Sequence, residues 1–67
     1  MILIYLNSQS LFIDEFLTLS ELLKNQGYIS THYAVALNQY FIKKTQYDKI
    51  ILNHHDRVDI IRPMQGG

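Results

Sequence analysis

The stretch TLSELLKNQG, residues 18–27, predicts one short helix and contains signals for both of its ends. Thr18 and Glu21 match the capping box, in which the threonine hydroxyl accepts from the Glu21 amide and the Glu21 carboxylate accepts from the Thr18 amide. Gly27 suits the left-handed position that follows many helices. Three leucines share one face of this helix: Leu19, Leu22 and Leu23. We expect about two and a half turns of helix whose apolar face packs on the core.

Before the helix, the sequence predicts a hairpin. Residues 1–6 have the period-two pattern of a strand, in which Ile2, Ile4 and Leu6 alternate with Leu3 and Tyr5. Residues 7–10 are a cluster of turn formers, and residues 11–13 are expected to return antiparallel beside the first strand.

After the helix, the pattern returns to short strands and turns. Tyr47 lies in a polar segment, and its side chain is expected to be buried in the core. Pro63 is expected to weaken strand pairing after the last strand because it has no backbone N–H. In chain order we expect a strand at 33–37, a tight turn at 38–39, a strand at 40–42, the polar segment at 43–49, a return to the core at 50–52, a turn at 53–56 and a last strand at 58–61. This order predicts an α+β fold, a mixed sheet of four to five strands packed against one helix.

Length and composition predict one domain, residues 1–67, without a deep active-site cleft. Six basic and six acidic residues cancel and are scattered, so nucleic acid is not expected as a partner. The apolar run at residues 1–6 is too short to span a membrane, and no membrane partner is expected. The absence of cysteine excludes a disulfide scaffold and a cysteine nucleophile, and it agrees with an expected cytoplasmic location.

The histidine pair His54-His55 invites comparison with a metal site. Neighbouring strand residues point to opposite sides, and the chain offers no cysteine to complete a ligand set, so we expect no metal and a turn with exposed histidines. Asp56 is expected to accept backbone hydrogen bonds in this turn instead of acting as an acid or base.

The chain ends in Gly66-Gly67, which directly follows the strand-like run and the stem Met64-Gln65. Two residues without side chains cannot pack, but they can thread a narrow channel in a partner and present an unhindered carboxylate there. That carboxylate is ionised near neutral pH and must be activated before a nucleophile attacks it. Residues 64–67 are therefore expected to form a flexible, projecting tail that is the substrate of another enzyme, with no catalytic residue in this chain. If Val58 and Ile60 face the core, Ile61 faces away from it and is a candidate for the docking surface.

Taken together, these features resemble the ubiquitin-like β-grasp sulfur carriers, and most closely the ThiS family of the thiamine pathway. The resemblance covers essentially the whole chain and includes the strand at residue 1, the helix start at Thr18 and the terminal Gly66-Gly67. The internal segments that carry it are residues 35–39, 43–47 and 56–61. The chain departs from the family in two places, with His55-Asp56 where Gly-Asp is usual and Lys43-Lys44 where Pro-Arg is usual.

This resemblance implies a ubiquitin-like β-grasp fold and the role of a protein cosubstrate that is not itself an enzyme. It implies that a ThiF-like adenylating enzyme activates the Gly67 carboxylate with ATP. A sulfur donor then converts the adenylate to a thiocarboxylate, from which thiazole synthase takes the sulfur. Gly66 would pass through the narrow channel of the partner, and Met64 and Gln65 would connect it to the folded domain. The chain has no phosphate-binding GxxxxGK[ST] loop, so ATP is expected on the partner and no cofactor on this chain.

Three alternatives remain open from the sequence. The small subunit of molybdopterin synthase resembles this chain in fold and in its Gly-Gly end. A ubiquitin-like modifier would be conjugated to lysines of other proteins. A plain β-grasp interaction module would bind by adding an edge strand to another sheet, and its tail would have no chemical role.

Overall fold

The computed structural model of the chain describes residues 1–28 and 33–62, which form a five-stranded mixed sheet with one helix on one of its faces. The elements in chain order are β1 (Ile2–Leu6), β2 (Gln9–Ile13), α1 (Leu19–Asn25), β3 (Ala34–Leu37), β4 (Tyr40–Ile42), a 3₁₀ helix (Lys44–Lys49) and β5 (Arg57–Ile61). The predicted α+β architecture is confirmed. The predicted tail, residues 64–67, and Pro63 lie outside the described residues.

Strand order in the sheet is β2-β1-β5-β3-β4, so the last strand of the chain is the central one. β5 runs parallel to β1 and antiparallel to β3, while β1–β2 and β3–β4 are antiparallel hairpins. Burying the central strand between two neighbours pairs its backbone groups on both sides, which is what a buried strand requires.

Helix α1 begins as its sequence predicts. The Thr18 amide and hydroxyl both donate to the Glu21 carboxylate at 3.0 Å, and the Thr18 hydroxyl accepts from the Glu21 amide at 3.1 Å. Gly27 follows the helix in the left-handed region with φ of +85°. The helix itself has seven residues, about two turns, half a turn fewer than predicted.

The core lies between α1 and the sheet. Its fully buried side chains come from the helix, from the central strands and from the segment after the 3₁₀ helix: Ile4, Leu19, Leu22, Val35, Leu52 and Val58. Tyr47 plugs the core from the 3₁₀ helix, as predicted. The predicted return of residues 50–52 to the core is wrong for Ile51, which is 50% exposed because it alternates with Ile50 and Leu52, the two residues that face the core.

Both hairpins of the sheet have two-residue turns. The first hairpin turns at only Asn7-Ser8 and the second at Asn38-Gln39, and all four residues have positive φ. Two-residue turns with positive φ match the right-handed twist of the flanking strands, so strand pairing imposes this conformation without a glycine. Consequently β2 begins at Gln9, two residues earlier than the predicted strand. Within residues 1–28 and 33–62, no helix has the length and apolar character needed to cross a membrane.

Candidate functional site

The candidate site is the end of β5, because the residues predicted to carry the chemistry follow this strand in the sequence. The residues predicted to carry the chemistry lie outside the described residues: Met64, Gln65, Gly66 and Gly67. What the structure provides is the surface from which these residues leave the fold.

The end of β5 is held on both sides, although β1 is too short to reach it. On one side, β3 pairs with β5 as far as Ala34 opposite Ile61. On the other side, the Asn7 amide donates to the Val58 carbonyl at 2.9 Å, and the Asn7 side-chain oxygen accepts from the Ile60 amide at 2.8 Å. The left-handed φ of Asn7, +49°, lets this turn residue extend the ladder by one further hydrogen bond with its side chain.

Ile61 faces away from the core, as the alternation along β5 predicts. Val58 is fully buried and Ile60 is partly buried against the core, whereas Ile61 is 45% exposed on the opposite face of the sheet. We call the face without the helix the outer face. The outward position of Ile61 is therefore observed, and its role in docking stays a prediction.

Ile61 lies in an apolar area of the outer face, which we call the β5-end patch. Its members follow from the strand register, because directly opposite residues of neighbouring strands share a face. Ala34 is opposite Ile61, and Ala36 is opposite Phe41 on the next strand. Phe41 is 72% exposed, which makes it the most prominent side chain of the patch. The apolar members of the patch are Ala34, Ala36, Phe41 and Ile61, and the register also places Asp59 on this face, opposite Ala36.

The sequence interpretation missed Phe41. A signal for it was present, since Ile42 faces the core and strand residues alternate, so that Phe41 had to face outward. What the sequence did not supply was the position of β3 beside β5, which brings the β3–β4 hairpin, and thus Phe41, near the end of β5.

The histidine turn lies at the other end of β5 and braces β1. The Leu3 amide donates to Nδ1 of His54 at 3.0 Å, and the His55 amide donates to the Leu3 carbonyl at 2.6 Å. Both histidines are exposed, and their ring centroids are 3.8 Å apart. The described residues contain no group of three His, Cys, Asp or Glu side chains that could hold a metal ion. His54 thus completes backbone hydrogen bonding at the start of β1.

Asp56 has the structural role predicted for it. Its carboxylate accepts from the Asn53 amide at 2.8 Å and from the Asn38 side chain at 3.0 Å. His55 has a φ of +72°, so it occupies a left-handed position of the backbone. The turn therefore keeps the backbone conformation that glycine favours, although its residue is histidine.

Among residues 1–28 and 33–62, two titratable groups have a clearly shifted pKa, and the physical cause of each lies in the fold. Hydrogen bonds from the Thr18 backbone and side chain lower the pKa of Glu21. Burial raises the pKa of Tyr47. These shifts belong to helix capping and to core packing, so they do not indicate acid–base catalysis.

A shallow open concavity of about 400 Å³ lies at the end of the sheet where β1 begins. Its lining includes Ile2, Phe16 and Ile51 together with His54 and Glu15. The concavity lies beside the start of β1, whereas β5 ends beyond the end of β1, so it is separate from the β5-end patch.

Comparison with known proteins agrees with this geometry. The sequence profile of the ThiS family matches residues 3–67. Among solved structures, the crystal structure of the thiamine biosynthesis protein ThiS from Geobacter metallireducens superimposes with a TM-score of 0.84 at 23% sequence identity, covering 98% of this chain and 100% of that one. This likeness shows that the two chains share the β-grasp fold. A comparison with curated protein sequences finds no significant match.

Proposed function

From the premise that this chain belongs to the ThiS family, whose members are small sulfur carriers of thiamine biosynthesis, we propose that Gly67 carries the sulfur at its carboxyl group. The observation that supports this most directly is that the family match, residues 3–67, includes Gly66-Gly67. The chain contains no cysteine, so a thiol cannot carry the sulfur, whereas a thiocarboxylate can.

The proposed chemistry has two steps, both on a partner enzyme. The Gly67 carboxylate attacks the α-phosphorus of ATP, which forms an acyl-adenylate and releases pyrophosphate. A sulfide-equivalent nucleophile then attacks the acyl carbon, the C–S bond forms, and the bond to AMP breaks. The product is a C-terminal thiocarboxylate, which thiazole synthase would consume as its sulfur donor.

The β5-end patch is proposed as the docking surface for the ThiF-like adenylating enzyme. Five residues separate Arg62 from the reacting carboxyl group, and they reach at most about 17 to 18 Å. A partner must therefore bind close to the end of β5 if the carboxylate is to reach its active site. Ile61 and Phe41 supply exposed apolar surface at that place, which is the type of surface that partners desolvate on binding.

The test is the intact mass of the protein after incubation with a ThiF-like adenylating enzyme, ATP and sulfide. We expect a gain equal to sulfur in place of oxygen, and this gain should require ATP. A chain lacking Gly67 is the matched control. The core described above lies within residues 1–62, so the shortened chain is expected to melt at the same temperature and to gain no mass.

Two outcomes would contradict the proposal. The first is an equal gain of mass in the chain without Gly67, and the second is no gain in the full chain with an enzyme that is active on another carrier. Growth assays then separate the pathways: the gene should rescue a thiamine auxotroph lacking its own carrier and should not rescue a molybdenum-cofactor mutant.

A further inference from the structure

Arg62 is the last described residue before the tail, and its side chain is in contact with an aromatic ring. The guanidinium carbon lies 5.6 Å from the centre of the Tyr28 ring. This distance is within the range of a cation–π interaction. Tyr28 directly follows Gly27, so Arg62 reaches the C-terminal end of α1 on the helix side of the sheet.

Tyr28 is itself held from three directions. Its amide donates to the Leu23 carbonyl at 2.8 Å, and its own carbonyl accepts from the Tyr33 hydroxyl at 2.9 Å. The two tyrosine rings meet edge to face, with centroids 5.8 Å apart. The Tyr28 hydroxyl lies 3.4 Å from the Asn7 side-chain nitrogen, which donates to it. Asn7 also accepts from the Ile60 amide, so one residue links the Tyr28 ring to the end of β5.

We infer that Tyr28 is a positioning residue for the C-terminal tail, because it holds Arg62 and thereby fixes the side and direction in which the chain leaves β5. This inference rests on the proposed function and adds a residue that acts on the tail without touching the reacting atoms. Pro63 contributes in the same sense, since a residue that precedes proline is restricted to extended backbone conformations, and Arg62 is that residue.

The contact between Tyr28 and Arg62 should affect the free energy of binding to the partner. A tail that ends in two glycines loses much conformational entropy when a partner's channel orders it. Fixing the root of the tail before binding reduces the number of conformations that must be lost, and preorganisation of this kind improves affinity. An exposed cation–π contact favours the held state by a factor of about 2 to 5. Loss of the contact should therefore raise KM for the adenylating enzyme about 2- to 5-fold, and it should leave kcat unchanged because the bound carboxylate is the same.

The experiment is a double-mutant cycle in the ATP-dependent adenylation assay, with Tyr28→Leu, Arg62→Gln and the double variant. If Arg62 acts through Tyr28, each single change raises KM by a similar factor and the double variant is no worse than either one. Arg62→Lys should restore part of the loss because lysine keeps the positive charge. Tyr28→Phe is the matched control, since it keeps the ring and removes only the hydroxyl that accepts from Asn7, and its KM should stay close to that of the unaltered chain.

A second measurement detects the contact without any partner. Protons of the Arg62 side chain above a tyrosine ring should show upfield NMR shifts in the free protein, and Tyr28→Leu should abolish these shifts. Normal chemical shifts in the unaltered chain would overturn the inference. So would multiplicative effects of the two substitutions on KM, which would mean that Arg62 contacts the partner directly. If the proposed function is wrong, the unaltered chain shows no ATP-dependent change at Gly67, which differs from both results above. That result would also refute the inference.

Discussion

Phe41→Ala tests whether the β5-end patch binds the adenylating enzyme. Phe41 lies on the edge strand β4 and is 72% exposed, so its ring contributes little to the core and its removal should leave the fold intact. Phe12 provides the matched control. It is 65% exposed on the opposite edge strand, β2, and lies on the same outer face because it is opposite Leu3 in the register. Four strand spacings separate the two rings, about 19 Å.

The expected magnitude follows from the exposed fraction of the ring. Complete burial of a phenylalanine side chain contributes about 1.5 to 3 kcal/mol. Since 72% of Phe41 is still available for burial by a partner, its loss should cost up to about 1.1 to 2.2 kcal/mol of binding free energy. That range corresponds to about a 6- to 40-fold increase in Kd. Phe12→Ala removes a ring of nearly equal exposure, but outside the patch, and should leave Kd unchanged.

The assay is calorimetric titration of each variant with the adenylating enzyme, accompanied by thermal unfolding to show that both variants remain folded. Surface substitutions away from an interface change free energies by about 0.5 kcal/mol or less, which sets the threshold at about a twofold change in Kd. A change below this threshold for Phe41→Ala would refute the docking surface. An equal loss for Phe12→Ala would refute the argument that the patch is specific.

Four further predictions concern stability. Thr18→Ala should lower the free energy of unfolding by about 1 kcal/mol, measured with urea, because it removes the helix cap. The pKa of Glu21 is lowered in the folded state, so its ionised carboxylate contributes fully to the free energy of unfolding above the ordinary carboxyl range, and this contribution is lost as pH falls through the lowered value. Glu21→Gln should therefore reduce the loss of stability at acid pH. The pKa of Tyr47 is raised by burial, so its neutral hydroxyl contributes fully to the free energy of unfolding below about pH 10, and this contribution is lost as pH rises through the raised value. Tyr47→Phe should remove this loss of stability at alkaline pH. An unchanged loss of stability at alkaline pH would contradict the prediction. His55→Gly should retain the stability of the protein because glycine accepts the positive φ, whereas His55→Val should lower the urea midpoint clearly, and equal midpoints would show that the turn relaxes.

The helix was predictable because its signals are local. The capping box joins Thr18 to Glu21, three residues apart, and Gly27 provides the left-handed residue that follows the helix. Side-chain hydrogen bonds over so short a separation form in the helix end itself and depend little on the rest of the fold. The outward position of Ile61 was predictable for a similar reason, since alternation along one strand fixes it once Val58 is buried.

Features that depend on strand order were not predictable. The Tyr28–Arg62 contact joins residues 34 positions apart, and it forms because the fold brings the end of β5 beside the residue that follows α1. The first turn was predicted as four residues and has two, because strand pairing imposes positive φ on Ser8, a residue that does not favour it intrinsically. Alternating patterns identify strands and their faces, but they do not identify neighbours in the sheet.

The central position of β5 gives the proposed reactive tail an anchor strand that is paired on both sides. A terminus attached to an edge strand would move with a strand that is paired on one side only, whereas β5 is paired with both β1 and β3. Ile61 is the last residue of this strand and Arg62 is the next residue, and they face opposite sides of the sheet, the first toward the β5-end patch and the second toward Tyr28. The proposed docking contact and the Tyr28–Arg62 contact therefore share a backbone anchor but no side-chain partner. Because contacts without shared partners contribute additively to free energy, we expect the effects of Phe41→Ala and Tyr28→Leu to multiply in KM, and this independence would let a carrier adjust partner choice without disturbing the direction of its tail.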